Sequence, residues 1–217
     1  RSGVSSFSTR PGDDLQRGLR LSLARGRVQY GHRHHPLRHP DRATALVLLV
    51  PAAYAPRVDD EAPPIHRAPT TEFLFNTALR SDFLFWLMCH VARPIAMHGI
   101  LATPRQVLAS ASPDERERVY QLLEHILPVT ARSAGLLNDA KITTALERYE
   151  LERIAAPTLV IGIQDDLYGT FEVARYTAQH IPNARLLAYP TGGHVAVGHQ
   201  REIVSEIAAF VNATEGR

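Results

Sequence analysis

The sequence of 217 residues contains one cysteine, Cys89, one lysine, Lys141, and one tryptophan, Trp86. A single thiol forms no internal disulfide, so this is no disulfide scaffold, and a reducing, cytoplasmic setting is the expectation. Long apolar runs are also missing. The longest, Ala43 to Ala55 and Phe83 to Ala92, fall short of the ~20 residues that span a bilayer, which predicts no transmembrane helix. No apolar stretch followed by a small-residue cleavage site stands near Arg1, so no secretory signal is visible. With 45% hydrophobic and 21% charged residues, collagenous, coiled-coil and wholly disordered classes are excluded. The length suits one domain with a core of its own.

Lysine is nearly absent among the 24 basic residues, which points to a GC-rich gene in which arginine codons displace lysine codons. The net charge of +2 hides an asymmetry. Arg1 to Arg42 holds nine arginines against Asp13, Asp14 and Asp41, a surplus of six positive charges, so the remainder carries a net −4.

Residues 1–37 string Ser, Arg, Gly and His together without a period of 2 or 3.6, and read as an irregular basic segment. From Thr44 to Val50 the run T-A-L-V-L-L-V, closed by Pro51, predicts a short strand buried on both faces, as in a parallel sheet. Between Pro56 and Tyr149 the pattern turns helical. Thr71 is placed to cap a helix running through Phe83, Trp86 and Cys89 to Ala92, and Ser112 followed by Pro113, Asp114 and Glu115 marks a second helix start. After Pro157 come the strand T-L-V-I-G-I, a helix from Thr170 to Ile181, the strand R-L-L-A-Y and a helix over Glu202 to Val211. Strand and helix in alternation imply parallel pairing with right-handed crossovers. There is no solenoid-length repeat.

In open α/β sheets functional groups gather where the carboxyl ends of strands meet loops. Asp165 and Asp166 follow T-L-V-I-G-I-Q, and His194 follows R-L-L-A-Y through the turn P-T-G-G-H. A carboxylate and an imidazole on neighbouring strand ends pair readily, the acid fixing the tautomer and the other ring nitrogen serving as base. The plain alternative is a solvated Asp-Asp turn and a surface histidine.

The segment L-E-R-I-A-A-P-T-L-V-I-G-I-Q-D-D-L-Y-G-T-F-E-V-A-R to P-T-G-G-H, with its closing helix, resembles the last third of an α/β-hydrolase. R-H-P-D-R-A-T-A-L-V-L-L-V-P-A-A-Y is similar to the strand that follows the nucleophile helix there, and the helices between resemble a cap domain. The resemblance covers residues 38–217, with the cap inserted at about 56–150. It implies a partial α/β-hydrolase fold, a mostly parallel sheet with a helical cap. In that family the acid stands four residues before a proline; Thr170 holds that place here, which favours Asp166 over Asp165. His194 is then the general base. The resemblance implies hydrolysis of an ester or related bond in a small molecule, as in esterases and epoxide hydrolases, with no cofactor.

The family's G-x-S-x-G elbow is absent. Where it is expected the chain reads S-L-A-R-G-R-V-Q-Y-G; Ser5 in G-V-S-S-F has no preceding strand, and Ser133 in A-R-S-A-G falls in the cap-like region and reads as a cap-helix serine. Shifting V-Q-Y-G-H-R-H-H by one base allows a Ser-Met-Ala-Ile-Ala-Ile helix, which suggests a truncated or frame-altered front. The rival expectation is therefore an inactive homologue retained, if at all, as a binding module. His32, His34, His35 and His39 form a cluster without the spacing of a closed metal site, so no metal is expected. The arginines license nonspecific, salt-sensitive association with nucleic acid and no more. Cys89 and His90 are adjacent on a helix and face apart, so Cys89 reads as core. Oligomeric state is not legible.

Overall fold

The computed structural model describes residues 44–56, 77–143 and 146–215. The basic segment, the histidine cluster, Ser5, Thr71, Phe73 and Phe75 lie outside the described residues.

Three parallel strands form the sheet in the order β1 (Leu46–Leu49), β2 (Thr158–Ile163), β3 (Ala184–Tyr189). Leu46 to Leu49 pair with Thr158 to Ile161, and Thr158 to Ile163 pair with Ala184 to Tyr189. All six residues of β2 are buried, as its unbroken apolar run requires of a strand covered on both faces. β1 is only half-buried, with Leu49 exposed. This differs from the expectation of full burial, because among the described residues β1 has a neighbour on one side alone.

Between β2 and β3 runs α6 (Thr170–His180), and after β3 comes α7 (Gln200–Glu215). Each covers one face. Ile203, Ile207 and Phe210 of α7 pack with Leu159, Ile161, Ile163 and Tyr189. On the other face Tyr176 and Ile181 join Leu46, Leu48 and the 3-10 turn Leu151–Arg153. The helix sits close because Gly162 has no side chain; a Cβ there would lie 2.9 Å from that of Ala174.

The residues between β1 and β2 supply a helical block: α1 (Asp82–Val91), α2 (Arg93–Ile100), α3 (Arg105–Ser110), α4 (Pro113–Glu124) and α5 (Ser133–Thr143). The long apolar stretch is not one helix to Ala92. It is interrupted before α1, where the Ser81 Oγ accepts the Leu84 N–H at 3.3 Å, the N-cap contact that favours serine there. Asp82 then accepts the N–H and hydroxyl of Thr130 at 2.9 and 2.8 Å, tying α1 to the loop before α5. At Arg93 and Pro94 the path turns by 111° into α2, since proline fits a first helical turn and not a helix interior. As expected, Ser112 caps α4, its Oγ accepting the Glu115 N–H at 3.2 Å.

Phe85, Cys89, Met97, Val119, Leu123 and Val129 form the core of the block; full burial of one such side chain contributes about 1.5–3 kcal/mol. Phe83 and Trp86 do not join it. They stack on each other at 6.2 Å and are 64% and 43% exposed, so only part of the aromatic stripe packs inward. Among the described residues no single helix is long and apolar enough to cross a membrane.

Candidate functional site

The two residues singled out after β2 and β3 meet at the carboxyl edge of the sheet. His194 Nδ1 donates to Asp166 Oδ2 at 2.9 Å. The Asp166 side chain is completely buried, and that of His194 is 31% exposed. Parallel pairing of β2 with β3 accounts for the meeting: in-register strands leave the sheet side by side, and the loops that follow begin as neighbours.

The carboxylate is held on every side. Its Oδ1 accepts the Tyr168 N–H at 2.9 Å, and Oδ2 accepts the Thr170 hydroxyl as well as the imidazole. A buried carboxylate needs such donors, because an unpaired one would lose its hydration without return. The Thr170 side chain thus acts at the position that suggested Asp166 over Asp165.

Asp165 has a different job. Its Oδ1 accepts the Gly193 N–H at 2.7 Å, pinning the residue next to His194. Ala102, in the loop between α2 and α3, joins both sides of the site: its carbonyl accepts Leu167 N–H at 3.1 Å and His194 N–H at 3.4 Å. Ala102 adopts a φ of 42° to do so, a left-handed conformation costly for a residue with a Cβ. Against one face of the imidazole stands Tyr168, edge-on at 4.8 Å and 88°, its hydroxyl donating to the Ile100 carbonyl at 2.7 Å. The supporting roles of Asp165, Ala102 and Tyr168 were not read from the sequence. Asp165 alone carried a signal, its place beside the acid; the other two depend on contacts between distant segments.

With Nδ1 donating to a carboxylate, the free ring position is Nε2, whose lone pair accepts a proton. Among the described residues no hydrogen bond is made to it. The pair therefore has the geometry of a base with its orienting acid.

The remaining candidates fall elsewhere. Ser133 donates to the Thr130 carbonyl at 3.0 Å and lines a cavity of about 400 Å³ with Leu79, Arg80 and Leu137; it makes no bond to His194. Cys89 is buried, and burial, assisted by Glu124, pushes its thiol up to about 11, which leaves it protonated and inert. His90 is occupied with the Trp86 carbonyl at 2.8 Å. His199 lies against Tyr189 at 4.4 Å with Nδ1 3.7 Å from Glu202, a packed histidine. A cavity of about 630 Å³ is lined by Gln106, Ser110, Glu115, Thr191 and His199, and includes neither Asp166 nor His194. The pair is thus recognised by its hydrogen bonding and not by the volume of a neighbouring cavity. No group of three or more potential metal ligands gathers among the described residues.

No protein-family model and no curated protein matches the sequence. Among solved structures the chain is similar to an alpha/beta hydrolase fold protein from Nakamurella multipartita, with 23% identity and a TM-score of 0.46. The match covers 81% of this chain and 63% of that protein, so the chain spans less than two thirds of the length of the structure it resembles. The chain has a partial α/β fold, a three-stranded parallel sheet flanked by helices among the described residues.

Proposed function

We propose that the chain is a capped α/β-hydrolase family protein, with residues 38–217 as the hydrolase-like domain, its helical cap inserted at about 56–150, and residues 1–37 as a basic segment before it. Its reaction is hydrolysis of an ester or related bond in a small molecule, without a cofactor. His194 is the base and Asp166 its orienting acid. One observation carries the reading: a buried carboxylate, fully supplied with donors, holds the Nδ1 edge of a partly exposed imidazole at 2.9 Å.

The steps follow from that geometry. Asp166 keeps the proton on Nδ1, so Nε2 is available to take a proton from a hydroxyl or a water attacking the substrate carbonyl. The imidazolium so formed faces the Asp166 carboxylate, which stabilises its charge. Collapse of the tetrahedral adduct returns the proton from Nε2 to the leaving alcohol; where a hydroxyl attacked, a water activated by the same Nε2 then cleaves the acyl-enzyme and releases the acid. The nucleophile, a serine or a water, is not identifiable in this chain: the sequence has no G-x-S-x-G elbow, and Ser133 is committed to Thr130.

The test is turnover of a panel of p-nitrophenyl esters by the purified chain and by His194→Ala. Turnover that the substitution abolishes supports the hydrolase. Equal release of nitrophenol by both proteins, or none by either, rejects it and favours a binding module built on the same fold.

A further inference from the structure

We propose that Glu115 and Arg118, on the first turns of α4, are positioning residues for His194. They form a clamp by which the cap helix holds the turn that carries the imidazole. The proposal rests on the reading of His194 as the catalytic base.

Asp165 grips that turn on one side of His194, through the Gly193 N–H. The clamp grips the other. Arg118 Nη2 donates to the Val195 carbonyl at 3.2 Å, and Glu115 Oε1 accepts the Gly198 N–H at 2.9 Å. The two side chains are themselves joined by two parallel bonds, Nε to Oε2 at 3.0 Å and Nη2 to Oε1 at 2.6 Å. Arg118 is 23% exposed and Glu115 18%. Exposed ion pairs contribute little to stability, but a two-pronged guanidinium–carboxylate contact in a half-buried site fixes orientation as well. Between the gripped residues, Val197 is buried in the core of the helical block, so the turn is fastened by apolar contact and by hydrogen bonds to the same helices.

The spacing of Ser112 and Glu115 fits a capping box, in which the glutamate reaches back to the serine N–H. Here both carboxylate oxygens go to Arg118 and one also to Gly198, so a local helix-capping contact gives way to a long-range one. Burial works to raise the Glu115 carboxyl, but the hydrogen bonds from Arg118 and Gly198 and the charges of Arg118 and Arg201 hold it below its ordinary range, so it is an anion while the clamp is closed. The groups facing His194 itself are Asp166 and Tyr168; Glu115 and Arg118 act on the backbone that carries it. A shift of α4 moves the Val195 carbonyl and Gly198 N–H together, and with them the ring. Misplacement of a reacting group by about 1 Å lowers rate on the order of a hundredfold.

The test uses the full chain as wild type, Glu115→Ala, Glu115→Gln and Arg118→Lys, with ester kinetics, thermal unfolding and long-range 1H–15N spectra that report which nitrogen of neutral His194 bears the proton. Glu115→Ala is expected to lower kcat about tenfold or more, with KM little changed, part of the hundredfold available from misplacement. It also converts a single Nδ1–H tautomer into a mixture. Glu115→Gln, which keeps an oxygen for Gly198, restores most of both. A folded Glu115→Ala protein with wild-type kcat and tautomer overturns the proposal, as does Glu115→Gln impaired as severely as Glu115→Ala. Should Glu115→Ala not fold, Arg118→Lys decides: a mixed tautomer supports the clamp and a wild-type one overturns it. A wild-type chain without turnover rejects the hydrolase reading alone, because the tautomer in the folded variants still answers for the clamp.

Discussion

Gly193 touches Thr103 so closely that a Cβ on the glycine would lie 2.7 Å from Cγ2 and 2.8 Å from Cα of the threonine. Gly193 also has a φ of 61°, and Thr103 is completely buried. Backbone against backbone, this contact sets how far the His194 turn can approach the block of helices. Gly193→Ala therefore carries two penalties, the left-handed conformation and the overlap, together about 2–4 kcal/mol. A urea titration is expected to show a midpoint lowered accordingly, and an unchanged midpoint would mean that the turn relaxes freely.

Asp166→Asn is expected to leave the fold in place, because the asparagine oxygen still accepts from Tyr168 or Thr170. It removes the charge that faces the imidazolium and no longer imposes the Nδ1–H tautomer. Ester turnover is expected to fall by about 10⁴ in kcat, the cost of the same change in a serine-protease triad. Activity within a few-fold of wild type would remove Asp166 from the mechanism.

Fluorophosphonate labelling followed by peptide mapping is expected to leave Ser133 unmodified. Its hydroxyl donates to the Thr130 carbonyl, and among the described residues no base hydrogen-bonds to it. Label on Ser133, lost in His194→Ala, would place the nucleophile in the helical block after all.

For Cys89 the expectation concerns pH. Its folded-state pKa, pushed up to about 11 from an ordinary value near 9.0, means that the native protein retains a proton the unfolded chain gives up. Stability therefore falls as pH rises from about 9 towards 11. Native protein at pH 8 is expected to resist thiol reagents that modify the urea-unfolded chain at once. Replacement by alanine removes this part of the alkaline decline, leaving a small cavity as its own constant cost.

The parts of the fold that were legible in the sequence are those governed by local chemistry. The run T-L-V-I-G-I can be satisfied only by burial on both faces, and β2 is fully buried. Ser112, Pro113, Asp114 and Glu115 satisfy a helix start by themselves, and α4 begins there. Asp165, Asp166 and His194 were legible as a group because strand ends in a parallel sheet converge, and the choice of Asp166 came from the family resemblance, through the place of Thr170. The break before α1 was not, since the long apolar stretch surrounding Ser81 and Asp82 masks their capping role. Nor were Ala102, Thr103, Glu115 and Arg118 as neighbours of the site. A glutamate in a first helical turn reads as a partner of the helix dipole, and nothing local reveals that its carboxylate is held by Gly198, 83 residues away.

The contact of Asp166 with His194 underlies the whole mechanism, and the protonated nitrogen of His194 in solution reports it most directly. Long-range 1H–15N correlation of the neutral imidazole is predicted to show the proton on Nδ1, facing the carboxylate, in the wild-type chain and to lose that preference in Asp166→Asn. A wild-type imidazole protonated on Nε2, unchanged when Asp166 is replaced, would contradict it.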